Sequence, residues 1–263
     1  MTPAPVLALR LLRVLAHLLQ GLATCALVFP WLGHERRMAC IGRWSARLLR
    51  IFRVSVELAP GSPPAEHGLW VANHVSWLDV FVIDAVVPAR FVAKSEVRRW
   101  PLVGVLSALA GTIFVERASL RSLKLTVAAL VTALRQGERI AVFPEGTSAA
   151  QGAMQPFRAN LFEAAVAAPA PVQPLAIRYL DPDGRPHPAV EYIGDTSLAE
   201  SILALLSGPP IRARLEILPA LAPGAGDRRA LARDAHDAIQ ASLARAAGSP
   251  AYNGPAFDPA GLP

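Results

Sequence analysis

The sequence predicts an α/β domain with a largely parallel sheet flanked by helices, preceded by an N-terminal membrane-associated helical segment. Two observations lead to this prediction. The first fifth of the chain is apolar and rich in arginine, and after a proline-rich linker short apolar runs alternate with helical patterns. Strands that alternate with helices are typical of parallel sheets that are covered on both faces. We expect three parts, namely the membrane-associated segment over residues 1–58, the α/β domain over 59–246 and a loosely ordered tail over 247–263.

The composition places the basic charge of the chain beside its most apolar segment. Of the 263 residues, 53% are hydrophobic and 17% charged, and the formal net charge is +6. Residues 1–53 contain eight arginines and one glutamate, whereas acids and bases nearly balance in the rest. A basic excess confined to an apolar segment indicates contact with anionic lipid. We therefore predict a lipid bilayer as a partner and no nucleic acid.

The N-terminal segment contains two helical patterns. Residues 14–33 form an apolar stretch that only His17 and Gln20 interrupt, which is about the length needed to cross a hydrocarbon core of ~30 Å. Residues 38–58 alternate apolar residues with arginines, a pattern typical of a basic amphipathic helix in the headgroup zone. Either the first helix spans the membrane, or both helices form a hairpin in one leaflet. A third interpretation is a pair of buried helices in a soluble protein.

The remaining chain predicts seven strands, at 69–72, 90–93, 112–115, 139–143, 172–177, 190–193 and 214–218. Apolar residues at steps of three and four predict a helix from Leu120 to Leu134, which Gly137 ends. A final helix is predicted over 227–246. The tail after it contains seven glycines and prolines, and so we expect it to be loosely ordered.

One short segment, 73–79, carries a histidine and an acid close together. His74 and Asp79 form a His-x4-Asp motif directly after a predicted strand. A carboxylate that fixes one tautomer of an imidazole and stabilises its protonated form makes the imidazole a general base. Positions five apart in one helix point roughly 140° away from each other. Contact between the two side chains therefore requires a loop that enters a helix. The alternative is a solvated histidine on a loop.

Two further segments end predicted strands with polar residues. Residues 143–148 read FPEGTS, and an acid, a glycine and hydroxyls at the carboxyl edge of a sheet are suited to contact a ligand. Residues 111–117 end in Glu116 and Arg117, and an arginine there is suited to grip a phosphate or a carboxylate. An ordinary turn and a surface ion pair are the respective alternatives. A fourth segment, 172–177, is a strand with a proline and is most simply structural.

Taken in order, these four segments resemble the four motifs of the glycerolipid acyltransferase family, which includes the 1-acyl-sn-glycerol-3-phosphate acyltransferases. The resemblance runs from residue 69 to residue 177. The combination of His-x4-Asp with Phe-Pro-Glu-Gly-Thr about 70 residues later is specific to that family.

The resemblance implies a reaction and a site. His74, held by Asp79, is the expected catalytic base, and no metal or organic cofactor is expected. The expected substrate-binding residues are Arg117, Glu145, Gly146 and Thr147. The acyl donor is then acyl-CoA or acyl carrier protein, and the acceptor is a lysolipid, first of all 1-acyl-sn-glycerol-3-phosphate, which gives phosphatidic acid. The expected location is the inner membrane, with the catalytic domain facing the cytoplasm.

Departures from the family pattern leave the acceptor headgroup open. Ser148 directly follows the Phe-Pro-Glu-Gly-Thr motif where many members have arginine, and Glu116 stands where Asp or Asn is common. Residues 157–160 read FRAN where the family usually has Phe-Lys-x-Gly. The absence of that arginine, together with the FVAKSE sequence at 91–96, also fits acylation of a lyso-ornithine lipid.

Two alternatives come from other functional classes. Ser76 would be the nucleophile of a lipid hydrolase, although it lacks the Gly-x-Ser-x-Gly elbow that exposes such a serine. A lipid-binding protein without catalytic activity is the other alternative.

Overall fold

A seven-stranded sheet organises the residues that the computed structural model describes, which are 2–116, 120–222 and 227–247. Its order is β1-β7-β6-β2-β5-β3-β4. All neighbouring strands are parallel except β6 and β7, which are antiparallel. The predicted fold class, a largely parallel sheet flanked by helices, is thereby confirmed. The strands are β1 Val54–Leu58, β2 Gly68–Ala72, β3 Arg90–Lys94, β4 Ile113–Val115, β5 Arg139–Val142, β6 Val172–Leu180 and β7 Ile211–Ile217.

Helices cover both faces of this sheet. They are α1 Ala4–Leu27, α2 His34–Ile51, α3 Leu78–Val86, α4 Val103–Leu109, α5 Leu120–Arg135, α6 Glu163–Ala167, α7 Leu198–Ser207 and α8 Arg228–Ala247. Strand β2 shows how the two cores arise. Trp70 and Ala72 pack among residues of α2, α3 and α7, whereas Leu69 and Val71 pack among residues of α5, α6 and α8. Successive side chains of a strand point to opposite faces, and so a strand covered on both faces is apolar throughout.

Helix α1 is the one helix of the described residues that is long and apolar enough to cross a membrane, by length and composition. Little of it is buried, because only Val14, Gly21 and Cys25 are buried against the rest of the protein. A row of leucines on its outer side is exposed, namely Leu9, Leu12, Leu15, Leu19 and Leu27. An exposed apolar helix flanked by arginines indicates membrane association.

Helix α2 is shorter than the sequence predicts. We expected one amphipathic helix over 38–58, but α2 ends at Ile51 and residues Val54–Leu58 form strand β1, which pairs with β7. Arg53 makes the turn between them with a φ of 61°. The apolar residues of the strand alternate with Ser55 and Glu57, which is a period of two that we interpreted as part of a helix. These five residues therefore belong to the sheet, although we expected them in the N-terminal segment.

The strand predicted over 190–193 is also wrong. The chain forms a single 3-10 turn at Pro188–Val190 and continues as a loop. The N–H of Tyr192 donates to the carbonyl of Val75, in the loop after β2, and so this stretch pairs with a loop and not with a strand. The final helix is confirmed as α8, which begins at Arg228. Of the predicted tail, residues 248–263 lie outside the described residues, and its loose order stays a prediction.

Candidate active site

The His-x4-Asp motif lies at the carboxyl edge of the sheet, between the central strand β2 and helix α3. His74 is in the loop that follows β2, and Asp79 is in the first turn of α3. The loop lets the two side chains meet, as the spacing requires. The His74 Nδ1 and Asp79 Oδ2 atoms are 2.8 Å apart. Because a carboxylate only accepts hydrogen bonds, His74 donates through Nδ1–H, and in the neutral imidazole this tautomer leaves Nε2 as the acceptor nitrogen.

Asp79 is fully buried and accepts hydrogen bonds from several directions. The backbone N–H groups of Val75 and Ser76 donate to its Oδ2 over 2.7 and 2.9 Å. The Tyr179 hydroxyl donates to its Oδ1 over 2.6 Å. Burial and the neighbouring Asp79 raise the pKa of Tyr179 well above its usual value, and so the hydroxyl remains a donor. A buried carboxylate with this many donors is held in one orientation, and it holds the imidazole in turn.

Two residues that the sequence did not assign to the site also fix the position of His74. Asn73 exchanges two hydrogen bonds with the backbone of Ile177 on β6, over 3.0 and 2.8 Å. The Phe143 ring, which follows β5, stacks on the imidazole with a centroid separation of 4.1 Å and an interplanar angle of 13°. Asn73 and Phe143 lie in the motif segments that the sequence singled out, whereas Tyr179 lies outside them; the contact that each makes is with a distant part of the chain and has no local signal.

Glu145, expected to bind the acceptor, ties together two stretches of backbone. Its Oε1 accepts the N–H of His74 over 2.7 Å and its Oε2 accepts the N–H of Gln155 over 2.6 Å. Burial raises the pKa of Glu145, and these two N–H groups oppose that shift. Gly146 and Thr147 line the cavity beside His74, whereas Glu145 is not in that wall. The acceptor contacts expected of the three residues stay predictions.

A largely apolar cavity of about 870 Å³ opens in front of His74. Its wall comes from helices α1 to α4 and from the loops that follow β3 and β5, and it includes Trp44, Trp77, Phe81, Phe91 and Trp100. This volume lies within the usual range for ligand pockets, ~300–1,000 Å³. An apolar cavity with one histidine of fixed tautomer in its wall is suited to chemistry at the polar end of an apolar ligand.

Of the other residues that the sequence singled out, some line this cavity and others do not. Arg117 lies outside the described residues, and its predicted contact with an acidic headgroup stays a prediction, whereas the preceding Glu116 lines the cavity. Ser148 also lines it and donates its hydroxyl to the carbonyl of Tyr192. Ser76, the nucleophile of the hydrolase alternative, is fully buried and outside the cavity wall, which gives a substrate no route to its hydroxyl.

Asp84 is a buried acid in the wall of this cavity, and it belongs to no metal-binding cluster of the described residues. The described residues contain no group of three or more His, Cys, Asp or Glu side chains that could hold a metal ion. Asp84, on α3, lines the cavity and accepts the N–H of Ala89 over 3.1 Å. Burial raises the pKa of Asp84 to about 8, because a charged carboxylate is poorly solvated there. Asp84 is therefore a neutral, hydrogen-bonding group at neutral pH.

His74, held by the buried Asp79 and partly exposed in the apolar cavity, is a candidate general base for a reaction of an apolar ligand. Comparison with known proteins specifies the class. The Acyltransferase family model matches residues 53–178. The lyso-ornithine lipid O-acyltransferase of Pseudomonas aeruginosa is 37% identical over 76% of each chain. The 1-acyl-sn-glycerol-3-phosphate acyltransferase of Neisseria meningitidis is 34% identical over 73% of this chain and 76% of its own.

This chain belongs to the acyltransferase family and is an enzyme of lipid metabolism. The predicted resemblance to that family is confirmed. The fold is also that of a solved structure, the 1-acyl-sn-glycerophosphate acyltransferase PlsC of Thermotoga maritima, with a TM-score of 0.66. The match covers 92% of this chain and all of that one at 20% sequence identity, and it concerns the fold alone.

Replacing Glu145 by glutamine tests whether this residue positions His74 or binds the acceptor. An amide has one acceptor oxygen, and so either His74 or Gln155 loses the acceptor of its N–H. We expect kcat to fall about tenfold while the KM for the acceptor stays within about twofold. The matched control is Glu191→Gln, since Glu191 also accepts one backbone N–H, that of Gln151. A raised KM with unchanged kcat would instead indicate direct contact with the acceptor.

Replacing Asp84 by asparagine tests whether the buried acid is neutral. Because the folded-state pKa is raised to about 8, the unfolded chain ionises at lower pH than the folded protein. The wild type therefore loses stability as the pH rises from about 4 to about 8, by up to about 1.4 kcal/mol for each pH unit. The variant keeps an oxygen for the Ala89 N–H but does not titrate. We measure the free energy of unfolding by urea in detergent, and we expect that of Asp84→Asn to increase relative to that of the wild type from about pH 4 to about pH 8. A difference between the two proteins that stays constant over this range would contradict a neutral Asp84.

Proposed function

We propose that the protein transfers a fatty acyl chain from an acyl thioester to the free hydroxyl of a lysolipid, with His74 as the general base. The observation that carries this proposal is the 2.8 Å hydrogen bond from His74 to a fully buried Asp79, at the wall of an apolar cavity. Membership of the acyltransferase family supports the reaction class, and the names of the relatives support a lysolipid acceptor.

The mechanism follows from the roles of the two imidazole nitrogens. Nδ1 keeps its proton, which it donates in the hydrogen bond to Asp79. Nε2 is therefore the nitrogen that takes the proton of the acceptor hydroxyl. The acceptor oxygen attacks the thioester carbonyl, forming an ester bond as the carbon–sulfur bond breaks. The imidazolium then returns its proton to the departing thiolate. Asp79 stabilises the imidazolium while it is charged, because its own negative charge is 2.8 Å away. The acceptor is itself the nucleophile, and an acyl-enzyme is not required.

The donor and the location form part of the same proposal. Acyl-CoA and acyl carrier protein both present a thioester on a soluble carrier, and neither requires a metal or a further cofactor for transfer. The exposed leucines of α1 and the arginines beside them support attachment at the inner membrane. A soluble donor made in the cytoplasm supports a catalytic domain on the cytoplasmic side.

The first acceptor that we propose is 1-acyl-sn-glycerol-3-phosphate, with Arg117 on its phosphate and phosphatidic acid as the product. Lyso-ornithine lipid is the second candidate. It is favoured by the 37% identity to the Pseudomonas aeruginosa enzyme and by Ser148, which replaces the arginine common after the Phe-Pro-Glu-Gly-Thr motif. With that acceptor, Arg117 would contact a carboxylate.

Replacement of His74 by alanine should abolish transfer. General acid–base catalysis contributes about 10²- to 10⁴-fold, and so we expect kcat to fall by at least about 10²-fold with the protein still folded. The matched control is His67→Ala, since His67 is exposed just before the same strand. Transfer that survives the loss of His74 would contradict this mechanism. Loss of activity in Ser76→Ala, together with an acyl-serine trapped at Ser76 in the wild-type protein, would support the hydrolase alternative.

The acceptor is identified by offering both lysolipids side by side to purified protein in detergent. Long-chain acyl-CoA is one donor and the same chain on acyl carrier protein is the other. Incorporation into phosphatidic acid supports the first acceptor. Product from lyso-ornithine lipid alone would agree with His74 as the base and would show that the acceptor is lyso-ornithine lipid and not 1-acyl-sn-glycerol-3-phosphate. The absence of product with both donors and both acceptors would contradict the proposed function.

A further inference from the structure

Helix α4 is apolar on both of its faces, although most of its residues are not buried. On the inner face, Val103 and Leu106 line the cavity. On the outer face, Val105 is 55% exposed and Leu109 is 46% exposed. The helix contains no charged residue, and only Gly104 of its seven residues is buried in the protein. A helix that is apolar on all sides is typically covered, either by a protein core or by a membrane.

The outer face of α4 adjoins the outer face of α1. The two helices pack against each other, and a side-chain carbon on Gly21 would lie 3.2 Å from Cδ1 of Leu106. Both helices line the same cavity, and so the faces that they turn away from it lie side by side. Exposed leucines of α1, such as Leu19 and Leu27, therefore continue the apolar surface of α4. An exposed apolar surface that extends over two elements indicates an interaction site.

Arginines border this apolar surface at the start of α4. Arg98 and Arg99 are exposed in the 3-10 turn Ser95–Arg99 that precedes the helix, and Glu96 is the acid of that turn. The turn and the helix are held together, because the backbone oxygen of Arg98 leaves no room for a side chain at Gly104. An apolar face beside arginines matches an anionic bilayer, since the face enters the acyl region while the arginines contact the headgroups.

We propose that α4 is a second membrane contact, in which Val105 and Leu109 enter the lipid phase beside α1. This contact comes from the chain between β3 and β4, inside the α/β domain, and not from the N-terminal segment. Binding of lipid at this surface does not depend on the proposed reaction. The contact has a consequence for that reaction, because it places the wall of the cavity against the lipid phase in which a lysolipid is dissolved.

Quenching of fluorescence by lipid tests the proposal without requiring turnover. In a protein that carries Cys25→Ala and Cys40→Ala, the variant Val105→Cys is labelled with an environment-sensitive fluorophore. The vesicles contain phosphatidylethanolamine, phosphatidylglycerol and a lipid with a nitroxide on its acyl chain. We expect the nitroxide lipid to reduce the fluorescence of this label by about half, because the outer face of α4 is then within the acyl region.

Two further label positions serve as controls. Leu12→Cys, on the exposed side of α1, reports the quenching of a label at the N-terminal membrane contact. Leu125→Cys is the matched control outside the contact, since Leu125 is 64% exposed but α5 packs on the face of the sheet opposite to α1. Quenching at residue 105 that does not exceed quenching at residue 125 would overturn the proposal. A label at residue 105 that becomes shielded from water without being quenched would also overturn it, and would indicate contact with a protein, such as a second copy of this chain.

A double variant, Val105→Gln with Leu109→Gln, tests the consequence for acyl transfer. Glutamine removes the apolar contact without adding a charge that anionic lipid would repel. Neither residue is among those that line the cavity, and so transfer to a lysolipid in detergent should stay within about twofold of the wild type. With the same lysolipid in vesicles, we expect transfer to fall about tenfold. The matched control, Leu125→Gln, should change neither rate, and a double variant as active as the wild type on vesicles would overturn this consequence.

The two measurements separate this inference from the proposed function. Quenching at residue 105 in a protein that transfers no acyl chain to any lysolipid would overturn the proposed function and leave the membrane contact standing. Acyl transfer by a protein whose label at residue 105 is not quenched would overturn the inference and leave the function standing.

Discussion

The structure of the site depends on one buried charge. Asp79 has no exposed surface, and a carboxylate without water is stable only if hydrogen bonds replace its hydration. The donors come from three places, namely the loop after β2, the imidazole of His74 and the hydroxyl of Tyr179 on β6. Satisfying this one group therefore fixes the start of α3, the loop and the neighbouring strand together. The catalytic tautomer of His74 is a consequence of that arrangement.

The same principle applies along the carboxyl edge of the sheet. Loops there carry backbone N–H and C=O groups that the strands no longer pair, and buried side chains take over. Asn73 pairs with the backbone of β6, and Glu145 accepts the N–H groups of His74 and Gln155. The polar residues of both motifs thus hold the two loops together. The polar residues of the His-x4-Asp and Phe-Pro-Glu-Gly-Thr segments therefore also fix the backbone that carries His74.

Local patterns predicted the strands and helices whose burial is regular, and the His-x4-Asp spacing predicted the contact that the structure contains. The errors had physical causes. Strand β1 follows a helix after a single turn at Arg53, and its alternation covers only five residues, too few to separate a strand from a helix end. The Tyr179 hydroxyl lies one hundred residues from Asp79 in the chain, and nothing local in β6 marks it. Such contacts depend on the order of the strands, which the sequence alone left open.

Helix α1 forms both an exposed apolar surface and part of the cavity wall. Its leucines face outward, while Val14, Leu18, Gly21 and Cys25 on the inner side line the cavity. The packing at Gly21 is so close that a side-chain carbon there would lie 2.7 Å from the indole nitrogen of Trp44. Because one helix forms both surfaces, a shift of α1 relative to α2 changes the shape of the cavity as well as the position of the exposed apolar face. The exposed apolar face and the cavity wall are therefore mechanically one element.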